Sequence, residues 1–318
     1  MLLFLLLLAV YDRILFSAPM PQGLELARWL ELAPAWADYG GEIENGVLVH
    51  HYGPHDTGKL VLRYNEASDR LTVAGSLHTF RYGHNSCSFP FAEARATCEA
   101  LAAALLLAPD ALRVHVLETG VNVALTAPPT SFLNQVARAS YGPLLTPFYG
   151  KQPPAGQAAP LLYTANYAQY RVKVYDAGTY NRLRKKPAPV GNSLRFEVLY
   201  LKSQKAAQVL GWQGALSLQN LMQADVYTAL ADALLASWHR IHLPPELTTM
   251  DNLSIDESAL LIAGQQPDFW EHAKRNTPRA TYHRKKALFK ELQGRASTDN
   301  PAPYTPQLEH EIRAGMPD

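Results

Sequence analysis

Cysteine is scarce in this sequence, and none of it lies in a metal-binding spacing. The 318 residues include only Cys87 and Cys98, and no CxxC or paired Cys/His motif occurs. We therefore expect neither a disulfide-stabilised secreted fold nor a structural zinc site. The composition fits a reducing, cytoplasmic compartment.

Long apolar runs are also missing. The apolar run from Leu2 to Val10 is nine residues long, whereas crossing a bilayer takes about 20. No basic residue precedes this run, as a signal peptide would require. We therefore predict no membrane segment and assign Leu8 to Phe16 to a buried strand.

The chain has almost no net charge, so any affinity for a polyanion must come from local clusters. Lysine and arginine total 29 against 28 acidic residues. Basic residues concentrate in the stretch Arg182 to Lys186 and between Ala273 and Arg295. The candidate DNA contacts in these two stretches are Arg184, Lys185, Lys186, Lys274, Arg275, Arg284, Lys285 and Lys286. Such clusters give salt-dependent DNA binding, and the alternative is a solvated basic surface.

Hydrophobic periodicity predicts an α+β fold with an antiparallel sheet and a helical C-terminal extension. Strand patterns recur up to Leu201, with helices expected at 20–38 and 91–107. Seven prolines between 128 and 160 predict a long arm or lid, and the basic RLRKK stretch is expected to be a loop. We predict a domain at 1–205, a helical region with a basic helix at 206–298 and a disordered tail at 299–318.

Side-chain alternation gives three of the predicted strands a polar face. In LETGVNV, Glu118 and Asn122 share a face, and in LRFEVLY, Arg195 and Glu197 do so. In YRVKVYD, Lys173 lies on the face opposite the two valines. These faces are either a shared site or ordinary solvated strands with cross-strand ion pairs.

If these strands are neighbours, Glu118, Asn122 and Glu197 converge as oxygen ligands for Mg²⁺ or Mn²⁺. Lys173 and Arg195 would then flank the metal, where Arg195 can contact a DNA phosphate.

Tyrosines precede Lys173 at positions 163, 167 and 170. A tyrosine is the natural nucleophile when a cut DNA end stays covalently attached, and a metal or a lysine compensates for its high pKa. We predict Tyr163 or Tyr167 as the nucleophile, assisted by Lys173, and assign Tyr170 to the core. The alternative is an aromatic strand without chemistry.

Several stretches, in order, resemble the replication initiators of filamentous phages, the gene II or gene X family, and their rolling-circle plasmid relatives. The similar stretches are GSLHTFRYGHN from Gly75, LETGVNV from Leu117, LLYTANYAQYRVKVYDAG from Leu161, SLRFEVLYLKS from Ser193 and QPDFWEHAKRNTPRATYHRKK from Gln266.

The resemblance implies a fold related to the HUH endonucleases and a rolling-circle initiator that nicks and rejoins origin DNA through a phosphotyrosine. It implies Mg²⁺ or Mn²⁺, single-stranded or locally melted origin DNA, and a host replication helicase as a partner. Two departures stand out: Ala177 replaces a lysine that often follows the Tyr-Asp pair, and no His-x-His triplet occurs. A mobilisation relaxase or transposase, and a DNA-binding protein without catalysis, are the alternatives.

Overall fold

One large antiparallel sheet organises a mixed α+β fold. The structure, a computed structural model, describes residues 11–20, 29, 41–44, 47–53, 59–151, 160–243, 253–264, 267–296 and 304–317. The strands are β1 (Tyr11–Pro19), β2 (Gly41–Glu44), β3 (Val47–Tyr52), β4 (Leu60–Asn65), β5 (Arg70–Ser76), β6 (Arg113–Leu125), β7 (Ser140–Tyr141), β8 (Thr146–Pro147), β9 (Tyr149–Gly150), β10 (Leu162–Asn166), β11 (Tyr170–Asp176), β12 (Asn192–Tyr200) and β13 (Ile241–His242). The helices are α1 (Leu77–Tyr82), α2 (Phe91–Leu105), α3 (Thr130–Val136), α4 (Ala177–Leu183), α5 (Ser203–Val209), α6 (Leu218–Leu221), α7 (Ala224–Trp238), α8 (Ile255–Ala263), α9 (Pro267–Asn276), α10 (Arg279–Ala296) and α11 (Thr305–Arg313).

The main sheet has ten strands in the order β2-β3-β4-β5-β1-β6-β12-β11-β10-β9. All its neighbouring strands run antiparallel. This confirms the predicted α+β class with an antiparallel sheet. The long strand β6 lies near the middle and pairs with β1 on one side and β12 on the other, so these three strands position the centre of the sheet.

One face of the sheet is covered by helices and forms the core. Strands β6 and β12 contact α7, and β6 also contacts α11. Val121, Phe196 and Val198 are buried on this face, as the alternation of β6 and β12 predicts. The polar residues between them are therefore directed to the opposite face of the sheet.

Helix α7 packs on the sheet through an apolar stripe with helical spacing. Tyr227, Leu230, Leu234 and Trp238 are fully buried along it, at intervals of three and four residues that keep them on one side. The Trp238 ring meets Phe196 of β12 edge-to-face, with centroids 5.2 Å apart. This contact fixes the helix against the strand that carries Glu197.

The C-terminal segment departs from the predicted disorder. Its residues 305–313 form α11, in which Leu308 and Ile312 are fully buried in the main core. The Trp238 indole also donates a hydrogen bond to the Thr305 hydroxyl at 3.0 Å. The proline-rich composition suggested disorder, but these two apolar residues at i and i+4 bind the segment to the core.

Three other segments also differ from the sequence predictions. The alternating stretch Leu71 to Phe80 predicts a strand, but its second part, from Leu77, is helical in α1 because Ser76 caps the helix by accepting from the Thr79 amide. The RLRKK stretch is expected to be a loop, but its first two residues belong to α4, which covers 177–183. The predicted lid contains α3 and the short strands β7 to β9 in its described part, while 152–159 lie outside the described residues.

Helices α8, α9 and α10 form a small separate cluster. Leu261 of α8 packs with Phe289 and Leu292 of α10, and none of these three residues belongs to the main core. The predicted basic helix is divided into α9 and α10 at Thr277 and Pro278, since the residue before a proline disfavours helical geometry. The described helices include none long and apolar enough to span a membrane.

The two N-terminal predictions are tested only in part. Strand β1 covers 11–19, so the expected strand from Leu8 is present from Tyr11 onward and 1–10 lie outside the described residues. Trp29 is helical and buried. The other residues of the helix predicted at 20–38 lie outside the described residues, apart from Met20, which is not helical.

Candidate active site

The open face of the sheet carries a cross-strand row of polar residues. Lys173 of β11 pairs with Glu197 of β12, and Glu197 pairs with Gly120 of β6. Residues paired across a sheet lie on the same face, so Glu118, two residues from Gly120, also faces this side. The strand register therefore confirms that the polar faces of these three strands converge, as predicted.

Gly120 leaves the space that the Glu197 side chain occupies. A Cβ at this position would lie 2.9 Å from Cγ of Glu197 and 3.1 Å from the Phe196 carbonyl oxygen. The first distance is too short for carbon and the second is tight, so a larger residue at 120 would displace the Glu197 side chain. Close packing against Glu197 therefore explains why LETGVNV has a glycine at position 120.

A third carboxylate, which sequence reasoning missed, comes from β1. Between Tyr11 and Ile14 the pairing of β1 with β6 shifts register, and Asp12 and Arg13 both line the open face. Such a bulge breaks the alternation on which the parity argument depends. Asp12 is 4% exposed and accepts hydrogen bonds from Ser76 and Asn85.

Two cations connect the three carboxylates. The Lys173 ammonium contacts Glu118 and donates to Glu197 at 2.9 Å. The Arg195 guanidinium donates to Glu197 at 2.5 Å and to Asp12 at 2.6 Å. Three acids thus face two bases, and the cluster carries one excess negative charge when all five groups are ionised.

The charge imbalance perturbs the two glutamates in opposite directions. Burial and the neighbouring Glu197 carboxylate raise the pKa of Glu118 to about 8. Burial also opposes ionisation of Glu197, but Lys173 and Arg195 lower its pKa to about 2. The cluster therefore needs one more positive charge to neutralise three ionised carboxylates.

The donor set fits a hard divalent cation. Asp12, Glu118 and Glu197 each offer an oxygen, all within 4.8 Å of one another. The Asn122 side-chain oxygen, on the same face of β6 as Glu118, is buried and has no hydrogen-bond partner among the described residues. Carboxylate and amide oxygens are the ligands that Mg²⁺ and Mn²⁺ take.

The turn that contains Asn85 closes one side of the cluster. The Asn85 carbonyl accepts from Asn122 at 3.0 Å and from Arg195 at 3.3 Å. Next to it, the Ser86 hydroxyl accepts from Asn181 of α4 at 3.1 Å. The GHN turn and α4 are therefore held together beside the carboxylates.

The cluster lies at the floor of an open groove of about 810 Å³ across the face of the sheet. Residues of β1, β4, β5, β6, β10, β11 and β12 line it, and the lining cations outnumber the acids. The lining cations are Arg13, Arg63, Lys151, Arg171, Lys173, Arg184 and Lys186. A groove with this charge suits a polyanion whose backbone passes over the carboxylates.

The structure separates the two predicted nucleophiles from Lys173. Tyr163 pairs with Val174, so it lies on the core face, and it is 7% exposed. Tyr167 lies in the turn between β10 and β11, where its hydroxyl donates to the Tyr141 carbonyl at 2.6 Å and its ring stacks on Tyr170. The predicted site of Tyr163 and Tyr167 beside Lys173 is therefore wrong, because the turn interrupts the alternation assumed for Tyr167. Tyr170 packs against the core, as predicted.

Two other tyrosines lie in the groove. The Tyr175 hydroxyl donates to Glu197 at 2.7 Å and is buried. Tyr180 of α4 is partly exposed, with its ring centroid 4.7 Å from that of Tyr175 and 4.2 Å from the Arg184 guanidinium. The Asp176 carboxylate caps α4 by accepting from the Thr179 amide at 2.9 Å, and this capping pattern is the sequence signal that predicts the helix and places Tyr180.

The predicted DNA contacts fall into three groups. Arg195 is 1% exposed and paired with two carboxylates, so its predicted contact with DNA is wrong. Arg184 and Lys186 line the groove, whereas Lys185 is exposed and lies outside it. The remaining candidates are exposed on the separate helical cluster, namely Lys274, Arg275, Arg284, Lys285 and Lys286.

No protein-family model matches the chain, and no curated protein matches it significantly.

Proposed function

We propose that this chain is a metal-dependent DNA nicking and joining enzyme of the rolling-circle initiator type, with a core related to the HUH endonucleases. One observation carries the proposal: a carboxylate cluster and a partly exposed tyrosine share a groove rich in cations. The resemblance of its ordered motifs to the gene II and gene X initiators supports the same function.

In this proposal Tyr180 is the nucleophile. It is the partly exposed tyrosine of the groove, while the Tyr175 hydroxyl is held by Glu197. The Tyr180 oxygen attacks phosphorus, and the bond from phosphorus to one ester oxygen breaks. The phenol proton leaves to water in the groove, and the departing ester oxygen takes a proton from water to become a free DNA hydroxyl. Attack on the phosphotyrosine by a free DNA hydroxyl reverses these changes and rejoins a strand.

The remaining residues bind and orient. Asp12, Glu118, Glu197 and Asn122 would hold Mg²⁺ or Mn²⁺, which supplies charge stabilisation at a phosphate. Arg184 stacks on the Tyr180 ring and can hold a neighbouring phosphate, and Arg171 and Lys186 continue this row of cations. Because a phenol must reach a backbone phosphorus inside the groove, the substrate is single-stranded or locally melted DNA.

The test is the formation of a covalent adduct. Purified protein is incubated with circular DNA that carries the gene and its flanks, with Mn²⁺ or Mg²⁺, and is then run on a denaturing gel. We expect an adduct with the wild type and with the matched Tyr163→Phe variant, and none with Tyr180→Phe. An unchanged adduct with Tyr180→Phe would overturn the assignment of the nucleophile, and no adduct from the wild type would overturn the enzymatic function.

A DNA-binding protein without catalysis is the second candidate. Lys173 and Arg195 already neutralise two of the three carboxylates, and Ala177 is buried against Leu162 and Tyr175 where the similar family often has a lysine. DNA binding without metal-dependent nicking would favour this candidate. If nicking occurs, the DNA that is cut distinguishes an initiator from a relaxase or transposase.

A further inference from the structure

The helical cluster of α8, α9 and α10 has its own small core. The Trp270 indole donates to the Gly264 carbonyl at 2.7 Å, which ties the start of α9 to the end of α8. A Cβ on Gly264 would lie 2.5 Å from the Phe289 ring, so only glycine allows α10 to approach this closely. These contacts make the three helices one packed unit.

One face of α10 carries a row of basic residues. Arg279, His283, Lys286 and Lys290 follow one another at intervals of four, three and four residues, and all four are exposed. This spacing keeps them on one side of the helix, over roughly 17 Å at 1.5 Å per residue. Phe289 and Leu292 are buried on a different side. The row is therefore a solvent-facing line of basic side chains that includes one arginine and two lysines.

The aromatic residues of this unit pack mainly on one another. The Trp270 centroid lies 5.3 Å from that of Phe289 and 6.0 Å from that of Tyr282, so the three rings pack on one another. The Lys286 ammonium in turn lies 5.9 Å from the Trp270 centroid. Single-stranded DNA is bound by stacking platforms in a groove, whereas this surface is the exposed side of an α-helix.

We infer that the exposed basic face of α10 binds double-stranded DNA through its phosphates. The regular phosphate array of a duplex matches a straight line of positive charge, and no unpaired base needs a partner there. Together with the groove proposed above for an unpaired strand, α10 gives the protein a second DNA surface, and the comparison of duplex with single strand rests on that proposal. This inference does not depend on the nicking chemistry.

The experiment measures the affinity of the full chain for a labelled 30-base-pair duplex and for the corresponding single strand, by fluorescence anisotropy without divalent metal. The test variant is Arg279→Gln/Lys286→Gln/Lys290→Gln. A matched control removes three exposed cations elsewhere, through Arg95→Gln/Arg138→Gln/Lys202→Gln. Circular dichroism and thermal unfolding of both variants establish that the fold is retained.

We expect the α10 variant to bind the duplex at least about tenfold more weakly. When the logarithm of its affinity is plotted against the logarithm of the salt concentration, the magnitude of the slope should decrease by about 2 to 3, because each lost phosphate contact contributes about 0.9. The fold-loss of affinity for the single strand should be at least about five times smaller than the fold-loss for the duplex. The control variant should bind both DNAs within about twofold of the wild type. Unchanged duplex binding by the α10 variant, or an equal loss for both DNAs, would overturn the inference.

Discussion

At the residue scale, side-chain alternation predicts that the two glutamates and Lys173 converge, but it misplaces the predicted nucleophile. Both results have one physical reason. Alternation holds within an uninterrupted strand, and β6, β11 and β12 bring Glu118, Glu197 and Lys173 together as predicted. It fails at the turn before Tyr170, which changes the position of Tyr167. It also fails at the bulge of β1, which hides the contribution of Asp12. Turns and bulges depend on pairing partners that the sequence does not reveal.

Lys173 occupies the position between two carboxylates that a metal would share. Replacing it in Lys173→Met leaves Arg195 as the cluster's cation, and breaking a buried pair costs roughly 3–5 kcal/mol of folding stability. We expect the metal-free variant to unfold at lower temperature and to bind Mn²⁺ at least about tenfold more tightly, as measured by calorimetry. Lys151→Met, which removes an exposed groove cation, is the matched control. Weaker Mn²⁺ binding by Lys173→Met would show that the lysine does not compete with metal.

His78 is a core histidine rather than a metal or phosphate contact. Its ring stacks on Phe89 with centroids 4.9 Å apart, and burial lowers its pKa to about 3. The unfolded chain binds a proton at this histidine below about pH 6.5, whereas the folded chain binds one only below about pH 3. Its contribution to stability is therefore complete above that pH and is lost as the pH falls.

The pH dependence of unfolding tests this description of His78. The loss for a single proton is about 1.4 kcal/mol per pH unit, so His78→Phe should flatten the fall of stability between pH 6 and pH 4 by that slope. Urea unfolding at several pH values measures it. The same slope in wild type and variant would mean that His78 is protonated in the folded protein.

At the element scale, composition predicted the wrong state for two segments. The stretch after Asp176 contains glycine and basic residues typical of a loop, yet the Asp176 cap and the buried Asn181 make it helix α4. The C-terminal segment is proline-rich, yet Leu308 and Ile312 anchor α11. In both cases tertiary contacts outweigh local composition, whereas the strongly periodic segments α2 and β6 agree with the sequence prediction.

Helix α11 is expected to contribute directly to global stability. Leu308→Ala removes a fully buried side chain, and such changes cost roughly 2–5 kcal/mol. We therefore expect a lower urea midpoint, while Gln307→Ala, at an exposed position of the same helix, should leave it nearly unchanged. Equal urea midpoints for the wild type and Leu308→Ala would contradict this expectation and support the disorder predicted from the sequence.

At the scale of the whole molecule, one face of the sheet forms the core and the other forms an open groove. Helices cover one face and form the core, while the other carries a groove floored by carboxylates and bordered by cations. Net charge of +1 gave no sign of this groove, because the concentration of cations arises only when distant strands pair. The α+β class was predictable from the order of the elements, but the ten-strand order and the separate α8–α10 unit were not.

The position of the DNA adduct tests the central claim most directly. Trypsin cleavage separates the groove tyrosines, in the peptide from Val174 to Arg182, from Tyr163, Tyr167 and Tyr170, in the peptide from Gln152 to Arg171. Mass spectrometry of the nuclease-trimmed and trypsin-digested adduct should find the nucleotide on the Val174–Arg182 peptide, with fragmentation placing it on Tyr180. A nucleotide on the Gln152–Arg171 peptide would contradict the claim that the open face of the sheet carries the chemistry.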